Sequence, residues 1–312
     1  MVFYSRDAAM AERLAALVTA LESQGRPGLS GSLSITWLRY DGEPRDRALA
    51  LDTSAFWAQS PRGASWGGET QRYPASVVKL LYLVAAEAWL QRQWLVESEE
   101  LRRALADMIR DSSNDATGLV VDLLSGTTSG PELPPHRYEP WCHQRRIVNR
   151  WLEELAWPEL KGCNACQKTW GDGPYGRERQ FYGEALENRN RLSTDAVARL
   201  LHAVIGGAIV SPPACRRMQA LLERSLDAEG RRADPENQVD GFLGEALPAG
   251  ARLWSKAGWM SQARHDAAYV EQEGAQPFLL VVFSEGKDCA EDSTLLPAIT
   301  SALLEEQEPL EE

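Results

Sequence analysis

The feature that most constrains this sequence is a long apolar run, VVKLLYLVAAEAWL, at residues 77–90. The run is too long and too rich in leucine and alanine for a strand, so it predicts a buried helix. It is also too short to cross a membrane. A buried helix belongs inside a globular domain, and 312 residues are enough for one large domain or two small ones.

Strand patterns lie towards both ends of the chain, and helical patterns fill its middle. Leu33, Ile35 and Trp37 alternate with polar residues, which predicts a half-buried strand after a first helix capped by Asp7. This order predicts one sheet that both ends share, with the helical middle inserted as a subdomain. Further helices are expected at 98–110, 115–124, 143–156, 193–206, 212–226 and around 292–305, and further strands at LWSKAGW, HDAAYVE and PFLLVVFSE.

The remaining segments are expected to be irregular. Residues 60–70 and 125–142 are rich in turn-forming residues, and residues 161–191 are polar and largely aperiodic. Residues 48–59 are expected to form a returning strand or an irregular segment. No linker or repeat is visible, so we predict a single domain with an α/β part at about 1–70 and 212–312 and a helical part at about 71–211.

The charge of the chain limits its possible partners. The formal net charge is −12 at pH 7, which disfavours nucleic acid and anionic membranes because both bind basic surfaces. The first residues lack the basic start and apolar core of a secretory signal. We therefore expect a cytoplasmic protein that acts on a small molecule and binds neither nucleic acid nor membrane.

Five cysteines are an odd number, which favours free thiols over a disulfide framework in such a chain. Cys163 and Cys166 form one C-x-x-C, with Cys142 and His143 upstream. A zinc site typically shows a second such pair or paired histidines, and neither is present in the sequence. We therefore interpret the spacing as chance and expect neither a metal nor another cofactor.

The pattern with the most chemical content is Ser76-Val77-Val78-Lys79, at the start of the apolar run. Residues three apart on a helix share a face, so the Lys79 amine would lie beside the Ser76 hydroxyl. Burial lowers the pKa of an amine, which allows it to act as a base towards the serine. A second serine pattern, Gly63-Ala64-Ser65-Trp66-Gly67, lies in a predicted loop, not between a strand and a helix, so we interpret it as chance.

The stretch RYPASVVKLLYLVAAE resembles the nucleophile segment of class A β-lactamases and penicillin-binding proteins. Two further motifs of that family follow in order, Ser112-Ser113-Asn114 between helices and Lys256-Ala257-Gly258 on a strand. The resemblance extends from about residue 30 to 305. It implies an α/β chain with the β-lactamase/transpeptidase-like fold, in which helices flank an antiparallel sheet and an all-helical subdomain is inserted.

The resemblance also implies roles for individual residues. Ser76 would be the acylated nucleophile, Lys79 its base, and Ser112 the relay of a proton to the leaving group. Asn114 would bind the substrate amide or Lys79, while Lys256 would polarise Ser112 and attract a substrate anion. The substrate would then be an amide or ester, bearing a carboxylate.

Substrate binding would also involve Gly258 of the third motif and two residues after it, Trp259 and Arg264. The N–H groups of Ser76 and Trp259, the residue after Gly258, would form the oxyanion hole. Arg264 resembles the strand arginine that holds a substrate carboxylate, although a solvated charge at a strand end explains it equally well.

The sequence departs from the family at two positions that bear on activity. Ala257 replaces the usual threonine or serine, whose hydroxyl binds the carboxylate of a β-lactam. The glutamate that activates water for deacylation has three candidates, Glu178, Glu184 and Glu187, of which Glu184 has the family's spacing to Asn188. The leading prediction is a serine hydrolase acting through acyl-Ser76. A D-alanyl peptidase or penicillin-binding protein and a catalytically weak binding module remain as alternatives.

Overall fold

The computed structural model describes residues 3–47 and 52–304. Its centre is a seven-stranded sheet with the strand order β1-β3-β2-β7-β6-β5-β4. Neighbouring strands are antiparallel except β1 and β3, which are parallel. Because β2 pairs with β7, the two ends of the chain share one sheet, as the sequence predicts. The strands are β1 Ser5–Arg6, β2 Leu33–Arg39, β3 Arg62–Trp66, β4 Glu223–Arg224, β5 Arg252–Met260, β6 Ala263–Glu271 and β7 Phe278–Glu285.

Helices cover both faces of this sheet. One face packs against α1 and the last helix, with Leu14, Leu280 and Leu296 in a shared apolar core. The other face packs against helices from the middle of the chain through a second core. The helices are α1 Ala8–Ser23, α2 Leu29–Ser32, α3 Thr53–Ala58, α4 Val78–Gln91, α5 Glu99–Arg110, α6 Asn114–Ser125, α7 Pro135–Arg145, α8 Ile147–Leu155, α9 Gly176–Tyr182, α10 Thr194–Ile205, α11 Pro212–Leu222, α12 Ala228–Ala233, α13 Lys287–Glu291 and α14 Leu295–Leu304.

The apolar run forms α4, and every residue of this helix from Val78 to Trp89 is buried. The prediction of a buried helix is therefore confirmed. Helices α5, α6, α10 and α11 all contact α4. Because it is enclosed in this way, the helix is a rigid support for the residues at its amino-terminal end. None of the helices described here is long and apolar enough to span a bilayer.

Several expectations for irregular segments are wrong. Strand β3 lies within the expected loop at 60–70, where Gly63 is packed so closely that a Cβ would lie 2.5 Å from Leu38 Cδ2. Helix α3 occupies the described part of the stretch 48–59, and residues 48–51 lie outside the described residues. Helix α7 begins inside the expected loop at 125–142, with Pro135 in its first turn, where proline is well tolerated.

Two further expectations differ from the structure in detail. The expected helix at 143–156 is divided, because α7 ends at Arg145 and α8 begins at Ile147. Strand β2 is buried on both faces, not on one. Its polar residue Thr36 is satisfied by Asp195, whose Oδ1 lies 2.7 Å from Thr36 Oγ1. The alternation of apolar and polar residues in β2 therefore does not reflect exposure to solvent, because the polar residue Thr36 bonds to α10.

Candidate active site

Ser76 lies in the tight turn Ala75–Val77 that leads into α4. Its side chain is partly exposed, whereas Ala75 and Val77 on either side are buried. Ala75 has a φ of 45°, in the left-handed region that non-glycine residues rarely adopt. Such strain costs about 1–3 kcal/mol and concentrates at functional sites. The Ser76 hydroxyl makes no hydrogen bond with the described residues, so it is free to meet a ligand.

Strand β5 passes very close to this turn at Gly258. A Cβ on Gly258 would lie 2.9 Å from the Ser76 backbone nitrogen and 3.1 Å from the Pro74 oxygen. Only glycine allows this approach. The Ala257 N–H donates to Gln238 at 3.3 Å and therefore points away from β6. Because alternate N–H groups of a strand point the same way, the Trp259 N–H also faces the open edge beside Ser76.

Lys79 is fully buried one helical turn after Ser76. Its Nζ donates to Asn114 Oδ1 at 2.9 Å, to Ser112 Oγ at 3.1 Å and to the Ser112 carbonyl. Burial lowers the pKa of Lys79 to about 7, and the nearby carboxylate of Glu236 opposes part of that effect. A substantial fraction of the amine is therefore neutral at physiological pH and able to accept a proton.

Lys256 approaches the same hydroxyl from β5. Its Nζ lies 3.0 Å from Ser112 Oγ and 2.7 Å from the Ala257 oxygen, and it also donates to Gln238 Oε1. Burial, with the positive charges of Lys79 and Arg224, places the pKa of Lys256 well below its usual value. The Ser112 hydroxyl thus lies between two lysine amines, which is an arrangement suited to moving a proton.

Ser112 is held in this position by its neighbours in the chain. Its φ of 55° is again left-handed, and Ser113 Oγ caps α6 by accepting the Ala116 N–H at 3.2 Å. Arg224 and Gln238 donate to the carbonyls of Ile109 and Arg110 at the end of α5. Arg224 and Gln238 therefore connect the segment just before Ser112 to the sheet that carries Lys256. No pattern in the sequence marks either residue.

His265 also supports the site, and sequence reasoning assigned it no role. It lies opposite Gly258 in β6, and its Nε2 is 2.8 Å from the Tyr73 oxygen. Its Nδ1 accepts the Ser284 N–H at 3.0 Å, so the proton must be on Nε2, which donates to Tyr73. Burial lowers the pKa of His265 to about 4. A neutral histidine therefore fixes the segment just before Ser76.

Arg264 and Trp259 form one wall at the edge of the sheet. Trp259 is 59% exposed, and its Nε1 donates to the Ala290 oxygen at 2.9 Å. Arg264 Nε donates to the same oxygen at 3.1 Å, and its Nη1 donates to the Gly241 oxygen at 3.2 Å. Arg264 is partly exposed, and these two bonds use two of the five N–H donors of its guanidinium.

The three candidate loop glutamates have different surroundings. Glu184 and Glu187 are exposed near the end of α9. Glu178 is fully buried, where it forms an ion pair with Arg145 and accepts the Ser129 hydroxyl at 2.9 Å. Within the described ranges, no hydrogen bond joins any of the three to Lys79 or Ser112. The structure therefore brings Ser76, Lys79, Ser112, Asn114, Lys256 and Gly258 together, but not Glu184.

Other chemistry-bearing groups lie outside this site. Ser65 belongs to strand β3, where its Oγ lies 3.1 Å from the Tyr4 hydroxyl, so it is not presented at a turn. The five cysteines all lie in the described part of the chain, and they are unpaired there. Among the described residues, no group of three or more metal-ligating side chains is present.

Comparison with solved structures identifies the fold. A β-lactamase from Sphaerobacter thermophilus is 18% identical, covers 94% of this chain and 96% of its own, and superimposes with a TM-score of 0.62. PBP-A is 15% identical with 97% of both chains covered and a TM-score of 0.62. A β-lactamase from Burkholderia vietnamiensis is 15% identical with 96% of both chains covered and a TM-score of 0.60. The chain therefore has the β-lactamase/transpeptidase-like fold.

Comparison with sequences gives the family. No curated relative matches the chain. The model of the β-lactamase enzyme family matches residues 97–307, which include Ser112 and Lys256 and begin after Ser76 and Lys79. This match covers about two thirds of the chain, and the chain belongs to the β-lactamase enzyme family.

Proposed function

We propose that the protein is a serine hydrolase that cleaves an amide or ester through an acyl-Ser76 intermediate. The observation that carries this proposal is the position of the Ser112 hydroxyl, 3.1 Å from Lys79 Nζ and 3.0 Å from Lys256 Nζ. Ser76 lies one helical turn from Lys79 and beside β5. This arrangement supports the proposal that Ser76 is the nucleophile, Lys79 the neutral base and Ser112 the proton relay.

In the acylation step, neutral Lys79 accepts the Ser76 proton while Ser76 Oγ forms a bond to the substrate carbonyl carbon. The N–H groups of Ser76 and Trp259 stabilise the oxyanion, an effect worth several kcal/mol. The C–N or C–O bond then breaks, and the proton passes from Lys79 through Ser112 to the leaving amine or alcohol. The products are acyl-Ser76 and the protonated leaving group.

The deacylation step requires a water molecule and a base. The sequence proposes Glu184 for this role, but its exposed side chain is not bonded to the site residues described above. We therefore propose that acylation is the faster step and that acyl-Ser76 accumulates. The same observation favours the second candidate, a penicillin-binding protein or binding module that is acylated and turns over poorly.

Labelling of the nucleophile tests both candidates. The protein is incubated with a fluorophosphonate and with a fluorescent penicillin, and the modified residue is identified by mass spectrometry. We expect label on Ser76 and none in Ser76→Ala. Ser65→Ala is the matched control, because that serine lies in a strand and should leave labelling unchanged. Label on another residue contradicts the proposal. A burst without steady turnover selects the second candidate.

We propose that the protein works in a reducing compartment such as the cytoplasm, because an odd number of cysteines favours free thiols over a disulfide framework. Disulfides persist mainly in oxidising compartments. We expect thiol titration of the denatured, unreduced protein to find five free thiols, and fewer would count against this location.

A further inference from the structure

The bond between Lys256 and Ser112 joins two separate parts of the fold. Ser112 lies two residues after α5 ends at Arg110, whereas Lys256 lies in strand β5. The distance from Lys256 Nζ to Ser112 Oγ is nevertheless 3.0 Å. A hydrogen bond weakens steeply when its partners tilt or separate, so the end of α5 has to be fixed against β5. Two side chains, Arg224 and Gln238, make that connection.

Both connecting side chains bond to β5 directly beside Lys256. Arg224 Nη2 donates to the oxygen of Ser255, the residue before it, at 3.2 Å. Gln238 Oε1 accepts the N–H of Ala257, the residue after it, at 3.3 Å. Arg224 and Gln238 also donate to the same two carbonyls in the last turn of α5, at 2.7 to 3.1 Å. These carbonyls have no acceptor role inside the helix, so they are available for such contacts.

Gln238 differs from Arg224 because it also contacts the amine of Lys256. Its Oε1 accepts from Lys256 Nζ while its Nε2 donates to α5. A neutral amide has both donors and an acceptor, whereas an arginine or lysine only donates and an ionised glutamate only accepts. Gln238 is also buried, which limits its replacement by water. The chemistry of this position therefore requires an amide.

The contact with Gln238 fixes the geometry of the Lys256 amine. Gln238 Oε1 and the main-chain oxygen of Ala257 are acceptors only, so each takes one N–H of Lys256. The third tetrahedral position of Nζ then faces Ser112 Oγ at 3.0 Å. This position holds an N–H when the amine is charged and a lone pair when it is neutral. In either state it is the position through which a proton passes between Lys256 and Ser112.

We propose that Gln238 is a positioning residue of the proton relay, which takes one N–H of Lys256 and holds β5 against α5, so that the exchangeable position of the amine faces Ser112. The inference rests on the proposed acylation of Ser76, in which Ser112 delivers a proton to the leaving group. Gln238 acts through Lys256. Its loss should therefore slow protonation of the leaving group and not the attack of Ser76 on the carbonyl carbon.

Two esters of phenylacetic acid test the inference. The para-nitrophenyl ester has a leaving group that departs as a stable anion, whereas the alkoxide of the trifluoroethyl ester must be protonated as it leaves. The measurement is the second-order rate constant of Ser76 acylation, obtained from mass spectra of the intact protein. In Gln238→Met, we expect a loss of about tenfold or more with the trifluoroethyl ester and of about twofold or less with the para-nitrophenyl ester.

The Gln238→Met variant should fold, because methionine is unbranched and adapts to irregular spaces. Arg224 also still donates to both carbonyls of α5. The matched control is Gln219→Met. Gln219 is equally buried, and its Nε2 donates at 3.0 Å to each of two carbonyls, those of Val204 and Ile205, at the end of α10. This control should leave the ratio of the two rate constants unchanged.

The two esters separate failure of the inference from failure of the proposed function. Equal losses with both esters in Gln238→Met, or the same change of ratio in Gln219→Met, would overturn the positioning role and leave the proposed function intact. Absence of Ser76 acylation by the para-nitrophenyl ester in the unaltered protein would overturn the proposed function, and the positioning role with it.

A double-mutant cycle tests whether Gln238 acts through Lys256. In Lys256→Met the partner of Gln238 Oε1 is already absent, so adding Gln238→Met should change the ratio of the two rate constants no further. A further change of the ratio would show that Gln238 acts by another route. If thermal unfolding shows that Gln238→Met is unstable, Gln238→Asn takes its place, because its amide is one methylene too short to contact both α5 and Lys256. An unchanged ratio in Gln238→Asn would also overturn the inference.

Discussion

At the scale of single residues, the site depends on how protons are shared among Lys79, Ser112 and Lys256. Two amines compete for one hydroxyl, so at least one of them must be neutral for the arrangement to be stable in a buried place. Burial lowers the pKa of Lys79 and so favours its neutral form, which is also the form that the proposed mechanism needs as a base. Under the proposed mechanism, we therefore expect catalysis to depend on both lysines and not on one of them.

The titration of Lys79 gives the first prediction. Since its pKa is lowered to about 7 and the neutral amine is the base, acylation should be slow below that pH and rise towards a plateau above it. The measurement is kcat/KM for a neutral ester as a function of pH, with folding monitored by circular dichroism. A rate that is flat between about pH 5 and 9 would show that Lys79 is not the base.

The close approach of Gly258 gives the second prediction. In Gly258→Ala, the added Cβ would lie 2.9 Å from the Ser76 nitrogen, so β5 and the nucleophile turn must separate. A misplacement of about 1 Å can cost about a hundredfold in rate, and we expect that loss in kcat/KM. Gly31→Ala is the control, because a Cβ there meets nothing within 4 Å. Retention of full activity by Gly258→Ala would refute the predicted oxyanion hole.

At the scale of elements, the site is assembled where α4, α5, α6 and β5 meet. The sequence predicts this meeting through its three motifs, because the first two lie at ends of strong helices and the third lies within the clear strand pattern of β5. It does not predict β3 or α7, since their residues have weak local preferences and are fixed by tertiary contacts. Gln238, Arg224 and His265 were missed for a related reason, because their roles arise from contacts across the fold.

The loop between α8 and α10 is anchored by a buried ion pair, which gives the third prediction. Arg145 and Glu178 are both fully buried and bonded to each other. Arg145→Ala would leave the buried Glu178 carboxylate with only the Lys168 amine, 3.9 Å away, as a cationic partner. Breaking a buried ion pair typically costs about 3–5 kcal/mol of unfolding free energy, and we expect a loss towards the lower end of that range. The double variant Arg145→Met/Glu178→Leu should recover most of that loss.

Chemical denaturation measures both effects of the ion pair. The comparison is with Arg92→Ala, which breaks the exposed ion pair to Glu154 and should cost at most about 1 kcal/mol. Equal losses of unfolding free energy in Arg92→Ala and Arg145→Ala would show that the buried ion pair stabilises the protein no more than the exposed one does.

At the scale of the whole molecule, stability should depend on pH through two buried histidines, which is the fourth prediction. Burial lowers the pKa of His202 to about 3 and that of His265 to about 4. The unfolded chain binds protons at these positions below about pH 6.5, and the folded protein does not. Each histidine therefore removes about 1.4 kcal/mol of stability per pH unit as the pH falls from about 6.5 towards its folded value.

Asp266 acts in the opposite direction. Burial raises its pKa to about 7, so its contribution is present at low pH and is lost as the pH rises through that value. Burial also raises the pKa of Asp195, so two aspartates oppose the two histidines. The contribution of one histidine is therefore measured as a difference: by urea unfolding between about pH 6 and 4.5, His202→Gln should lose less unfolding free energy as the pH falls than the unaltered protein does, by up to about 1.4 kcal/mol per pH unit. An unchanged slope in that variant would contradict the neutral state of His202.

The pairing of β2 with β7 has a consequence for synthesis of the chain. Leu33 pairs with Ser284 and Arg39 with Phe278. Strand β2 is synthesised early, and it cannot pair with β7 until nearly the whole chain has been made. Until the ribosome has delivered β7, the apolar β2 has no partner on that edge, and such an edge invites pairing with other chains. Lys256 arrives in the same late portion. If Lys256 acts as proposed, we expect the nascent protein to be inactive, and most prone to aggregation, until its final fifth has emerged.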